Sequence, residues 1–158
     1  MVEAPTISWA RAVTPPWLTR GERVVSFIVS GVAMSVLLLA ARLDPSPFGF
    51  GTHQQLGLPA CSWPSLFGFP CPSCGMTTAF AYAARGDMLS SFLTQPFGAI
   101  LALATAITVV VGFYAALTGT RVAGFFAPLA SRFFVLIGVG VLLAAWGFKT
   151  LQFKGLIG

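Results

Sequence analysis

Apolar residues fall in three long runs, and the proline, glycine and few charges collect between them. The first run, Val24 to Ala41, is uncharged and lies between Arg23 and Arg42. Its length is close to the roughly 20 helical residues that cross a bilayer core of about 30 Å. The second, Phe97 to Leu117, follows Pro96 and stops before Gly119. Proline suits the first turn of a helix and glycine its exit. The third runs from Phe133 to Phe153, with Lys149 near one end. Lys149 can snorkel to the interface there, beside an aromatic belt of Trp146 and Phe148. The pattern predicts an all-α integral membrane protein with transmembrane helices at 24–43, 97–117 and 133–153.

Each span carries small residues at helical spacing: Ser26 and Ser30, Ala102 and Ala106, then Gly140, Ala144 and Gly147. Lipid supplies no hydrophobic drive between helices, so close backbone approach at such positions holds bundles together. These faces either pack the three spans against one another or seat another subunit.

The stretch 44–74 is proline- and glycine-rich and holds one charge, Asp44. Phe48, Phe50, Trp63, Phe67 and Phe69 make it too apolar for a solvated loop, so an aromatic cap at the membrane surface is expected. From Gly75 the pattern turns helical, with Met76, Ala79, Phe80 and Ala83 on one face. Arg85 and Gly86 end that helix, and Asp87 caps a second over Met88 to Leu93. The residues 75–95 are therefore two short interfacial or re-entrant helices between the first and second spans. Thr77 and Thr78 are expected to bond the backbone one turn back. Arg85 is a candidate contact for a partner or lipid phosphate.

Composition agrees with the pattern. Of 158 residues, 56% are hydrophobic and only 8% charged, against about 25% charged in a soluble domain. The net charge of +5 comes from scattered Arg and Lys rather than a basic stripe, which excludes nucleic acid as a partner. The bilayer is the expected partner, together with other integral membrane subunits. Residues 1–22 lack the apolar core of a cleaved signal, and Val2 rather than Gly follows Met1. They read as an interfacial strap, broken at Pro15 and Pro16 and anchored by Trp9 and Trp17. Trp63, Trp146, Arg85 and Lys149 complete the set of candidate anchors. Three Arg precede the first span and one follows it. That imbalance points to a multi-pass protein of the cell inner membrane with a cytoplasmic N-terminus.

The run Cys71-Pro72-Ser73-Cys74-Gly75-Met76-Thr77-Thr78-Ala79, then Arg85-Gly86-Asp87 and Gln95-Pro96, resembles the bacterial membrane-protein family of domain of unknown function 2752. Its CPxCGxTRA-type segment, Gly-Asp pair and Asn-Pro are matched from Cys61 to Pro96. Thr78 stands where Arg is usual and Gln95 where Asn is usual. The resemblance implies a short multi-span protein and names no reaction.

Cys61, Cys71, Cys74 and His53 carry the candidate chemistry, and four readings of them stay open. A disulfide would staple the cap, with one thiol left over. The three cysteines and His53 would suit tetrahedral zinc, the one cofactor they admit, though it is not favoured. Cys71-Pro-Ser-Cys74 at a helix start could be a redox pair activated by the helix terminus. The thiols could also be inert packing groups. One histidine and no paired carboxylates leave no constellation for acid–base or covalent catalysis. The expectation is a non-catalytic membrane accessory or scaffolding subunit of a larger bacterial membrane complex, with a cysteine-stapled cap. The alternative is a membrane thiol-redox or metal-handling protein using Cys71 and Cys74.

Overall fold

The computed structural model describes residues 17–122 and 132–155. Trp9, Arg11, Pro15 and Pro16, and with them most of the expected strap, lie outside the described residues. The elements in order are α1 (Arg20–Arg42), a 3₁₀ helix (Thr52–Leu56), α2 (Trp63–Phe67), α3 (Met76–Ala84), α4 (Met88–Thr94), α5 (Pro96–Thr118) and α6 (Arg132–Phe153). There is no strand among the described residues, only one isolated bridge between Trp17 and Thr120. Three helices are long and apolar enough to cross a membrane: α1, α5 and α6 from Val135 onward. The fold is all-helical, as the hydropathy pattern predicts.

Helix α1 begins at Arg20 rather than at 24 because a capping box starts it early. The Thr19 hydroxyl accepts from the Glu22 N–H at 3.3 Å, and the Glu22 carboxylate accepts from the Thr19 N–H at 2.7 Å. Two orphan donors of the first turn are thus satisfied. Helix α5 has Pro96 at its first turn and Gly119 at its exit, at φ 74°. Gly119 there lets its N–H reach the Ala115 carbonyl at 2.8 Å.

Helices α1 and α5 run antiparallel and form the central pair. At one end Arg23 of α1 donates to the Ala116 and Leu117 carbonyls of α5, at 2.8 and 3.0 Å. A cation on the last carbonyls of a helix satisfies them and complements its dipole. Beside it, Arg121 pairs with Glu22 at 2.9 Å. Midway along, the helices touch through Ser30 and Gly112, where a Cβ on Gly112 would overlap the Ser30 hydroxyl. Phe27 meets Phe113 edge-on, with ring centroids 5.4 Å apart. So the Ser26/Ser30 face of α1 serves packing within the chain.

Helix α3 lies against both α1 and α5, with Thr78, Ala79 and Ala81 fully buried. The buried positions differ from the expected face, on which Met76, Phe80 and Ala83 are only half-buried. The reason is that α3 is enclosed by α1, α4 and α5 rather than lying on one surface. Helix α4 is tied to it by Ser91, whose hydroxyl donates to the Ala79 carbonyl at 2.7 Å. Asp87 caps α4 as expected, accepting from the Ser90 N–H at 3.0 Å.

Helix α6 joins the rest through its C-terminal part. The Trp146 indole N–H donates to the Pro70 carbonyl at 2.8 Å, and Phe153 packs near Phe50. Further back, nothing among the described residues lies within 4 Å of a side chain at Gly138 or Gly140, nor at Gly147. Large apolar side chains stay exposed along all three long helices, among them Ile28, Leu38, Val110 and Leu136. Such surface fits contact with lipid. The molecule is a multi-pass membrane protein by the length and apolarity of these helices.

Candidate functional site

The cap sits at the end of the bundle where α1 finishes and α5 begins. Its first half is pinned by side chains reaching across the chain. Gln55 clamps the Asp44 backbone, accepting from its N–H at 2.9 Å and donating to its carbonyl at 2.6 Å. Arg85 closes on the Asp44 carboxylate at 2.7 Å. This is an exposed pair and contributes little stability, but it turns Arg85 onto the chain itself rather than outward. The buried Thr52 hydroxyl accepts from the Ser46 N–H at 3.0 Å and shares a hydrogen bond with the Thr78 hydroxyl at 2.8 Å. The expected backbone bond of Thr78 is therefore replaced by a bond to the cap, because its side chain points into the α3–cap contact.

The second half runs through α2 and the cysteine turn. Trp63, Phe67, Phe69 and Trp146 form one aromatic cluster, with centroid distances between neighbours of 4.7 to 6.4 Å. Trp63 and Trp146 thus meet each other's cluster, while Trp17 is exposed at the opposite end beside Thr120. The Cys71–Cys74 segment is a tight turn, its Cys74 N–H bonded to the Cys71 carbonyl at 2.9 Å. Gly75 follows at φ 86°, and a Cβ there would fall 2.5 Å from the Gly49 carbonyl. Only glycine lets the two strands of cap backbone approach this closely. Gln95, fully buried, fastens the turn to α5: its amide donates to the Pro72 carbonyl at 3.2 Å and accepts from the Phe97 N–H at 3.0 Å.

Lys149 is the main departure from expectation. Instead of snorkelling, it is 4% exposed. Its ammonium donates to the Thr94 carbonyl and to Gln152 Oε1, both at 3.1 Å. Its Nζ lies 2.8 Å from where a Gly49 Cβ would stand. No carboxylate among the described residues pairs with it. A buried cation needs acceptors, and the last carbonyl of α4 is one that the helix leaves free. The physical reason for the inward turn is thus a waiting acceptor at the cap rather than at the headgroups.

Within this frame lies a cavity of about 710 Å³ between α1, the 3₁₀ helix, α3 and the cysteine turn. Cys61, Cys71, Cys74 and His53 all line it, so the four residues singled out by composition do share one site. They do not share one geometry. The three cysteines are free thiols, and the expected staple is not formed. Cys61 and Cys71 sulfurs are 3.9 Å apart, whereas Cys74 turns inward and is buried. Burial, then the nearby Cys71 and Cys61, push the Cys74 thiol up to about 11 despite Lys149 beside it. Burial pushes Cys71 up too, but hydrogen bonds from Ser73, Cys61 and Cys74 outweigh it and hold the thiol below its usual range. The cysteine next to α3 is thus the buried one with the raised thiol, and Cys71 the one held low. His53 Nε2 meets the Pro59 carbonyl at 3.2 Å. Among the described residues no three His, Cys, Asp or Glu side chains gather as metal ligands, so the zinc set does not assemble.

Thr52 and Gln95 hold the site together, and residue type alone does not announce either role. The signals for Gln95 are its place before Pro96, a helix-start position, and its standing where the resembling family has Asn.

Residues 61–109 match the family model described as protein of unknown function (DUF2752). The match opens at Cys61, includes the cysteine turn, α3 and α4, and ends within α5. No curated protein and no solved structure matches the chain.

Proposed function

We propose that the protein is a membrane accessory subunit that seats α6 against another integral membrane chain. The observation supporting this is the face of α6 formed by Gly140, Ala144 and Gly147. Among the described residues nothing lies within 4 Å of a side chain at Gly140 or Gly147, and Ala144 is exposed. In α1 and α5 the equivalent small positions, Ser30 and Gly112, are occupied by each other. In lipid a small-residue face gains stability only when another backbone approaches it. A helix anchored at one end by Trp146 and Lys149, with its small face open, suits a second chain of the same membrane.

The test is native mass measurement on the full chain, purified from its own membranes in mild detergent. A stoichiometric complex with a different membrane protein is expected, and Gly140→Leu with Ala144→Leu should release that partner while the chain stays inserted. A monomer, a homodimer, or a complex indifferent to both substitutions overturns the proposal.

A further inference from the structure

The cap holds two thiols that face each other and a third that faces away. Cys61 is exposed and Cys71 half-buried, their sulfurs 3.9 Å apart at the wall of the cavity. Neither residue is in a helix. A disulfide needs about 2.05 Å, so closure takes a further approach of about 1.9 Å between two side chains on irregular backbone. Meanwhile the cap does not depend on that bond. The Thr52–Thr78, Gln55–Asp44 and Gln95–Pro72 ties hold it with the thiols apart. A bond that the surrounding structure neither requires nor forbids can open and close without unfolding its frame.

We propose that Cys71 and Cys61 form a thiol–disulfide exchange couple at the cap cavity, with Cys71 attacking a disulfide-bearing partner and Cys61 resolving the product. The Cys71 thiolate attacks one sulfur of the partner's disulfide. A Cys71–partner mixed disulfide forms, and the partner's other sulfur leaves as a thiolate that takes up a proton. Cys61, after giving its proton to solvent, attacks Cys71 Sγ. The Cys61–Cys71 disulfide forms and the second partner sulfur leaves. Two protein thiols are oxidised and one partner disulfide is reduced to two thiols; the reverse sequence runs with a dithiol partner. Thiolate character and access decide which cysteine reacts. Access is greatest at Cys61, but thiolate character favours Cys71 as the attacking thiol: Ser73 Oγ lies 3.5 Å from its sulfur and its thiol sits below the usual range. Both disfavour Cys74. The couple is therefore Cys61 with Cys71, not the two cysteines of the C-x-x-C. This inference is independent of how α6 docks.

The test uses the full chain in detergent with oxidised glutathione, and in parallel a peptide containing one disulfide. Acid quenching, alkylation and chymotryptic mapping follow; cleavage after Phe67 separates Cys61 from Cys71. A Cys61–Cys71 cross-link with Cys74 still reduced is expected. Cys61→Ser should trap a glutathione adduct on Cys71, Cys71→Ser should slow consumption about tenfold or more, and Cys74→Ser should behave as the parent. Reaction with the peptide but not with glutathione assigns a protein partner, and reaction with glutathione assigns a small one. In the unsubstituted chain, alkylation of Cys71 should rise with pH at a midpoint below that of an ordinary thiol. A Cys71–Cys74 cross-link, an adduct on Cys61 alone, an ordinary midpoint for Cys71 or no reaction overturns the proposal.

Discussion

Gln95 is fully buried, and its side chain joins two backbone groups away from water. Replacing it by alanine strands the Phe97 N–H and the Pro72 carbonyl together. An unsatisfied buried group costs about 1–3 kcal/mol. Gln95→Ala should therefore lower the thermal midpoint of the detergent-solubilised chain, and it should raise alkylation of Cys74 by freeing the turn. Unchanged Cys74 protection would show that Pro72 is held by something else. Asp87 gives a pH test. The Ser90 side chain and backbone hold its carboxyl below the ordinary carboxylate range. Its cap on α4 is then fully present above the unfolded carboxylate pKa and is lost as pH falls through the lower folded value. Protection of the Ser90 amide, its exchange rate relative to the intrinsic rate at each pH, should fall only at that acid end, and Asp87→Ala should make that protection independent of pH. Residue identity announced Asp87, since a short acid before a helical run is a strong start signal. It did not announce Gln95, whose role depends on a carbonyl that the fold brings from the cysteine turn.

At the scale of helices, the α1–α5 pair depends on one close approach. Gly112→Ala should cost about 1–3 kcal/mol by overpacking against Ser30. Ser30→Ala removes the obstructing hydroxyl and should recover part of that loss in the double variant, a coupling readable from detergent or denaturant unfolding. Additive effects would mean that the helices do not meet at these residues. Hydropathy made the three spans legible to within a few residues, because crossing lipid imposes length and apolarity on any sequence. It left the pairing of faces open, because small residues stand on all three spans and only distance tells Gly112 from Gly140. The cap was legible as greasy and folded. Its 3₁₀ helix and α2 were not, since helices of five residues are set by the turns at Gly57 and Gly68 rather than by periodicity.

Across the whole molecule, the two ends of the bundle are built differently. One end is closed by Arg23, Glu22 and Arg121, charges of the kind an interface accommodates. The other is closed by the cap, with its aromatic cluster and buried ammonium. Nearly every tie of that cap runs forward along the chain: Thr52 waits for Thr78, Pro72 for Gln95, Pro70 for Trp146, and the Thr94 carbonyl for Lys149. During synthesis the cysteines leave the ribosome well before the last of these partners exists. The Thr52–Thr78 and Gln95–Pro72 ties can close before α6 exists, and only the Pro70–Trp146 and Thr94–Lys149 ties wait for the final span. The cap is therefore fastened in two stages as the chain is made.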